Sequence, residues 1–110
     1  MNFLEIAEDL QEHIWPYVEC QDYRNFVGDT SINPEDIIID LTNPIIKALY
    51  LADSAYEYDK TIDTHGVLVL TDAASKFTDT MLKHYSDSTD VCELIKDFQT
   101  ILIRVKLQLI

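Results

Sequence analysis

Apolar residues recur along this chain at steps of three and four, the spacing of one face of a helix. In the first segment Phe3, Ala7, Leu10, Ile14 and Tyr17 or Val18 mark that face, and Glu5, Glu8, Asp9 and Glu12 fall on the opposite side. Pro16 predicts an end or a kink there, because proline lacks the amide hydrogen of the helical ladder and disfavours helical geometry at Trp15. The stretch Glu19–Ile32 mixes aromatic residues with turn formers and reads as an ordered loop pinned by Tyr23, Phe26 and Val27.

Asn33-Pro34-Glu35-Asp36 carries the marks of a helix start: a capping side chain, proline in the first position and acids in the first turn. The same device recurs at Asn43-Pro44, so a short helix, or a strand through Ile37–Ile39, should stop before Asn43. From Pro44 the face Ile45, Ala48, Leu49, Ala52 and Tyr56 predicts a helix to about Asp59, followed by a polar link over Lys60–His65. Val67, Leu70, Ala74, Phe77, Met81 and Tyr85 then form the clearest amphipathic stripe in the chain. After the capping-rich link Ser86–Asp90, a last helix should bury Val91, Leu94, Ile95, Phe98, Ile101, Leu102, Val105 and Leu109.

The expected fold is therefore all-α, a compact bundle of four to five helices formed by residues 1–110 as a single domain. The alternative is an α+β fold with short strands near 37-41, 66-71 and 101-109, since Ile103–Leu109 alternates strictly between apolar and polar residues. Helix is preferred at the C-terminus because no turn former interrupts Asp90–Ile110. In that helical register Ile103, Leu107 and Ile110 make a second apolar stripe on the reverse side. Such a stripe suits a central, buried helix, which is the favoured expectation, or a self-association surface.

Charge changes this picture more than composition does. With 47% hydrophobic residues the 110-residue chain can close a core, and two glycines leave few breaks for anything but helices with short connections. The formal net charge is -12, and its placement is uneven: residues 1–63 hold 14 Asp and Glu against 3 Lys and Arg, residues 64–110 hold 6 against 5. A field of that sign repels nucleic acid and anionic membranes and draws in cationic surfaces. The acidic N-terminus and the lack of a long apolar run predict neither a secretory leader nor a membrane span, hence a cytoplasmic protein, in the host cytoplasm if phage-encoded. Cys20 and Cys92 are expected to be reduced, since they form no close pair.

The search for chemistry returns little. Two isolated glycines cannot build a phosphate-binding loop, and neither Glu-x-x-His pairs nor a His-Glu-x-x-His motif is present. His13 follows Asp9 by four residues, as in a surface ion pair; His65 precedes Gly66 in a turn, and His84 sits in the last turn of a helix. Asp59, Thr61 and Asp63 faintly resemble the start of a calcium loop, but Thr64 and Leu70 stand where glycine and glutamate are required. Asp40 and Asp53 are the carboxylates least obviously at the surface, and no partner group makes either catalytic. Lys96, Arg104 and Lys106 are too few for a nucleic-acid patch. No cofactor, no metal and no enzymatic activity are expected.

What remains is an acidic surface with aromatic residues between the acids. The residues expected to meet a partner are Glu5, Glu8, Asp9, Glu12, Trp15, Glu19, Asp22, Tyr23, Asp29, Glu35 and Asp36, with acids steering encounter and aromatics anchoring it. The partner so implied is a basic protein, one that handles nucleic acid, and the function is inhibition by occupying its basic surface. Anti-defence and anti-CRISPR proteins of phages, immunity proteins and antitoxins are the functional classes with that physics. The alternative is a self-assembling helical structural protein or assembly chaperone, a homodimer joined through Ile103, Leu107 and Ile110.

Overall fold

The computed structural model describes residues 2–59 and 64–110, which form four helices: α1 (Phe3–Phe26), α2 (Pro34–Asp59), α3 (His65–His84) and α4 (Thr89–Leu109). No strand occurs among the described residues, so the three β-like runs near 37–41, 66–71 and 101–109 are all helical. Alternation in Ile103–Leu109 comes from apolar residues on two sides of one helix. The Lys60–Asp63 part of the expected link, and with it Thr61 and Asp63, lies outside the described residues.

Helices α1 and α2 pack side by side as one hairpin, α3 and α4 as another, and α2 joins the two by contacting α3 and α4. The core is one cluster drawn from all four helices. Phe3, Ala7 and Leu10 of α1 meet Ile38, Ile45 and Leu49 of α2, with Val67 and Ala74 of α3 and Ile95, Phe98 and Leu102 of α4. Three threonines are buried with them, Thr42, Thr71 and Thr78. Their hydroxyls donate to the carbonyls of Ile38 (2.7 Å), Val67 (2.7 Å) and Ser75 (2.6 Å), which removes the cost of an unpaired polar group. Thr78 also accepts from Gln99 Nε2 at 2.9 Å, tying α3 to α4.

Both expected helix ends at proline are overturned. Pro16 lies inside α1 and Pro44 inside α2. Each proline is exposed, as are Glu12 and Asp40, whose carbonyls lose the bond the missing amide hydrogen would have made, so water can take its place. Core residues flank both positions: Leu10 and Ile14 before Pro16, and Ile38, Ile39, Ile45 and Ile46 around Pro44. Burying apolar surface on either side outweighs a local penalty of about 3 kcal/mol.

Because α1 runs on to Phe26, the segment from Glu19 is helix and not a loop, and Tyr23, Phe26 and Val27 are exposed instead of pinned. The turn comes later, at Gly28, whose φ of 80° is the left-handed conformation glycine adopts without strain. There the amides of Gly28 and Asp29 close on the carbonyls of Asn25 (3.2 Å) and Arg24 (2.9 Å). The start of α2 at Pro34 agrees with the sequence reading. Asp36, in the third helical position, accepts from the Asn33 amide at 3.1 Å, the return half of a capping box.

Two further expectations shift. Phe77 is about half exposed, and the buried stripe of α3 is Val67, Thr71, Ala74, Thr78 and Met81, in which satisfied threonines replace it. The stripe of Ile103, Leu107 and Ile110 is not central; these side chains are 59%, 70% and 80% exposed.

Candidate protein-binding face

Continuing α1 through Pro16 brings eight of the eleven predicted partner residues into one array, leaving out Asp29, Glu35 and Asp36. Along an uninterrupted helix, Glu5, Glu12, Glu19 and Phe26 repeat every seven residues, Glu8, Trp15 and Asp22 form a second such row, and Asp9, Pro16 and Tyr23 a third. At 3.6 residues per turn these rows share an arc of about 140°, and the array is about 32 Å long. All ten side chains are exposed, which leaves the opposite arc, Phe3, Ile6, Leu10 and Ile14, for the core. The N-terminal half of the face carries only acids. Its C-terminal half interleaves Glu19 and Asp22 with Trp15, Tyr23 and Phe26, which are 60%, 67% and 88% exposed.

Few cations accompany the face in sequence. Arg24 is the one Lys or Arg among residues 1–46, and it points away from the array. Its guanidinium holds Asp36 bidentately, Nη1 to Oδ2 at 2.9 Å and Nη2 to Oδ1 at 2.7 Å, with Glu35 at 3.7 Å. Gln21 Nε2 donates to the same carboxylate at 3.1 Å. The hydrogen bonds from Arg24 hold the Asp36 carboxyl below its ordinary range, and Asp36 in turn raises the Arg24 pKa. Asp36 and Glu35, expected among the partner contacts, are therefore half-buried members of the clamp between α1 and α2. Asp29 stays exposed in the turn, where hydrogen bonds from Ser31, including its amide at 2.9 Å, lower its pKa.

His13 is not the surface ion pair its spacing from Asp9 suggested. Its ring stacks on Phe98 of α4 (centroids 6.4 Å apart, planes at 12°) and meets Tyr17 edge-on at 5.9 Å. Nε2 is buried without a hydrogen-bond partner. Burial lowers its pKa, with Asp97 opposing that effect and Arg104 adding to it. Burial likewise raises the Tyr17 pKa, assisted by Asp97 and Glu35. Beside His13 a groove of about 400 Å³ opens between α1 and α4, with Asp9 and Glu12 on one wall and Arg104 and Gln108 on the other.

No protein-family model matches the chain, and neither a curated protein nor a solved structure is significantly similar to it.

Elsewhere the reactive side chains are engaged or solvated. The Cys92 thiol donates to the Tyr85 carbonyl at 3.3 Å, Cys20 is exposed on α1, and His84 packs edge-on against Tyr85 at 4.7 Å. Asp40 is exposed on α2 and Asp53 half-exposed. Among the described residues no three His, Cys, Asp or Glu side chains are placed to hold a metal ion, and no helix is long and apolar enough to cross a membrane. Phe26 and the groove beside His13 were missed from sequence. The seven-residue repeat from Glu5 to Phe26 was the available signal, hidden by reading Pro16 as a terminus.

Proposed function

We propose that the protein is a binding protein, an inhibitor that lays the outer face of α1 on a basic surface of a larger protein and so occupies a site that otherwise holds nucleic acid. The observation that carries this reading is the array itself: six carboxylates and three exposed aromatic side chains on one arc, with the nearest arginine in sequence turned inward. Carboxylates held on a helix lose little freedom when they pair with lysine or arginine, and desolvated tyrosine and tryptophan supply anchoring area. Anti-defence, anti-CRISPR, immunity and antitoxin functions share this mode of action. Direct contact with nucleic acid is disfavoured by the charge, and among the described residues no constellation supports catalysis.

The reading is tested with a lysine nonamer as the cationic probe. Wild-type protein should bind it at low salt and release it as salt rises, whereas the Glu8→Lys, Glu12→Lys, Glu19→Lys triple variant should not bind. Binding that ignores both salt and these substitutions sinks the reading.

A second reading, self-association through α4, has its own support in the exposure of Ile103, Leu107 and Ile110 on the less charged part of the chain. In sedimentation it predicts a dimer that Leu107→Asp dissociates. A monomer at high concentration removes it.

A further inference from the structure

The face proposed above carries one recess on its α2 side. Gln11, Ile14, Trp15 and Val18 of α1 and Asn43 of α2 line a groove of about 350 Å³. Ile14 is buried and forms the apolar base, Val18 is half-buried, and the indole of Trp15 is 60% exposed. The lining itself carries no charge, and the neighbouring turns hold exposed acids, Glu8, Glu19 and Asp22 on α1 and Asp40 on α2. Lys47, one turn beyond Asn43, is the one cation within a turn of the lining residues.

Resting on the proposed binding face, we infer that this groove is the receptor for an arginine side chain of the basic partner. An arginine has an apolar stem, a flat and weakly hydrated cation that stacks on an indole, and a fork of donors that need acceptor oxygens. The groove offers each counterpart: Ile14 and Val18 for the stem, the Trp15 ring for the guanidinium plane, and the side-chain carbonyls of Gln11 and Asn43 for its N–H groups. Lysine fits less well, because a compact, strongly hydrated ammonium surrenders more hydration on an indole face and cannot fork. Without Trp15 only the fork of donors would distinguish the two cations. The indole makes the site selective.

The test uses the full-length protein with two probes, an arginine nonamer and a lysine nonamer with blocked ends, and two readouts, calorimetry and the emission of Trp15, the single tryptophan. The arginine peptide should bind roughly three- to tenfold more tightly than the lysine peptide and quench Trp15. Trp15→Ala should lower arginine affinity several-fold more than lysine affinity and so remove most of the difference between the two peptides, with helix content unchanged. Trp15→Phe should recover part of the difference.

Equal affinity for the two peptides, or an arginine preference that survives Trp15→Ala undiminished, overturns the inference and leaves the acidic binding face standing. Failure of both peptides to bind at low salt removes the face and the groove together. A change in Trp15 emission with protein concentration alone, without peptide, assigns the groove to a second copy of this chain and overturns the arginine assignment.

Discussion

The two hairpins of this bundle solve the same packing problem with different surfaces. In α3–α4 acids and bases nearly balance, Lys106 reaches Asp72 at 3.1 Å, and neither helix contains a proline. In α1–α2 each helix carries a proline in its interior, acids outnumber bases, and the one arginine is spent on an internal clamp. Exposed pairs such as Lys106–Asp72 stabilise little, so balance in the second hairpin is ordinary surface chemistry. Unbalanced charge in the first costs self-repulsion, which the proposed docking on a basic surface would relieve. Core packing is shared between the hairpins, whereas charge is concentrated on one of them.

The comparison can be broken first at the prolines. Pro16→Ala restores the hydrogen bond to the Glu12 carbonyl on an exposed face, and should raise stability by about 1–3 kcal/mol in urea denaturation, part of the gain being offset by a more flexible unfolded chain. A destabilised variant would mean that α1 depends on the proline, contrary to its exposed position.

A smaller effect belongs to His13, where α1 of the first hairpin stacks on α4 of the second. Its folded pKa is lowered, so neutral His13 supports the fold above about pH 6.5, and that support is lost as pH falls through the folded value. His13→Phe keeps the ring stack, removes the unpartnered Nε2 and cannot titrate. Thermal unfolding of the variant should lose a few degrees less than wild type between about pH 7 and pH 5. Identical pH profiles would contradict a buried, neutral imidazole.

Legibility from sequence followed the same division. In α4 the apolar positions Ile95, Phe98, Leu102, Val105 and Leu109 were read correctly because nothing interrupts the period, and Ser88 caps the helix by accepting from the Val91 amide at 3.4 Å. In α3 the period was right but Phe77 was taken for core in place of Thr71 and Thr78, since a threonine is compatible with burial only once its hydroxyl finds a carbonyl. In α1 and α2 local chemistry spoke for breaks at Pro16 and Asn43-Pro44, and tertiary burial overrode it. The acids of the candidate face were found from sequence at Glu5, Glu8, Asp9 and Glu12, because their opposition to Phe3 and Leu10 precedes the proline. Their alignment with Trp15, Asp22, Tyr23 and Phe26 was not, because it exists only if the helix continues. The clamp of Arg24 on Asp36 joins residues twelve apart in separate helices, and no spacing rule announces it.

The central claim is that binding resides on the outer face of α1 and not in the net charge as a whole. Two charge-reversed proteins of equal total charge separate these: Glu8→Lys, Glu12→Lys, Glu19→Lys in the first hairpin, and Asp79→Lys, Asp87→Lys, Glu93→Lys in the second, where all three acids are exposed. Affinity for the lysine nonamer is measured by calorimetry from low to physiological salt. The first protein should lose about a hundredfold or more at low salt, with its salt dependence flattened, while the second changes by less than about threefold. Equal losses in the two proteins would contradict the account, because attraction would then follow total charge with no binding face on α1.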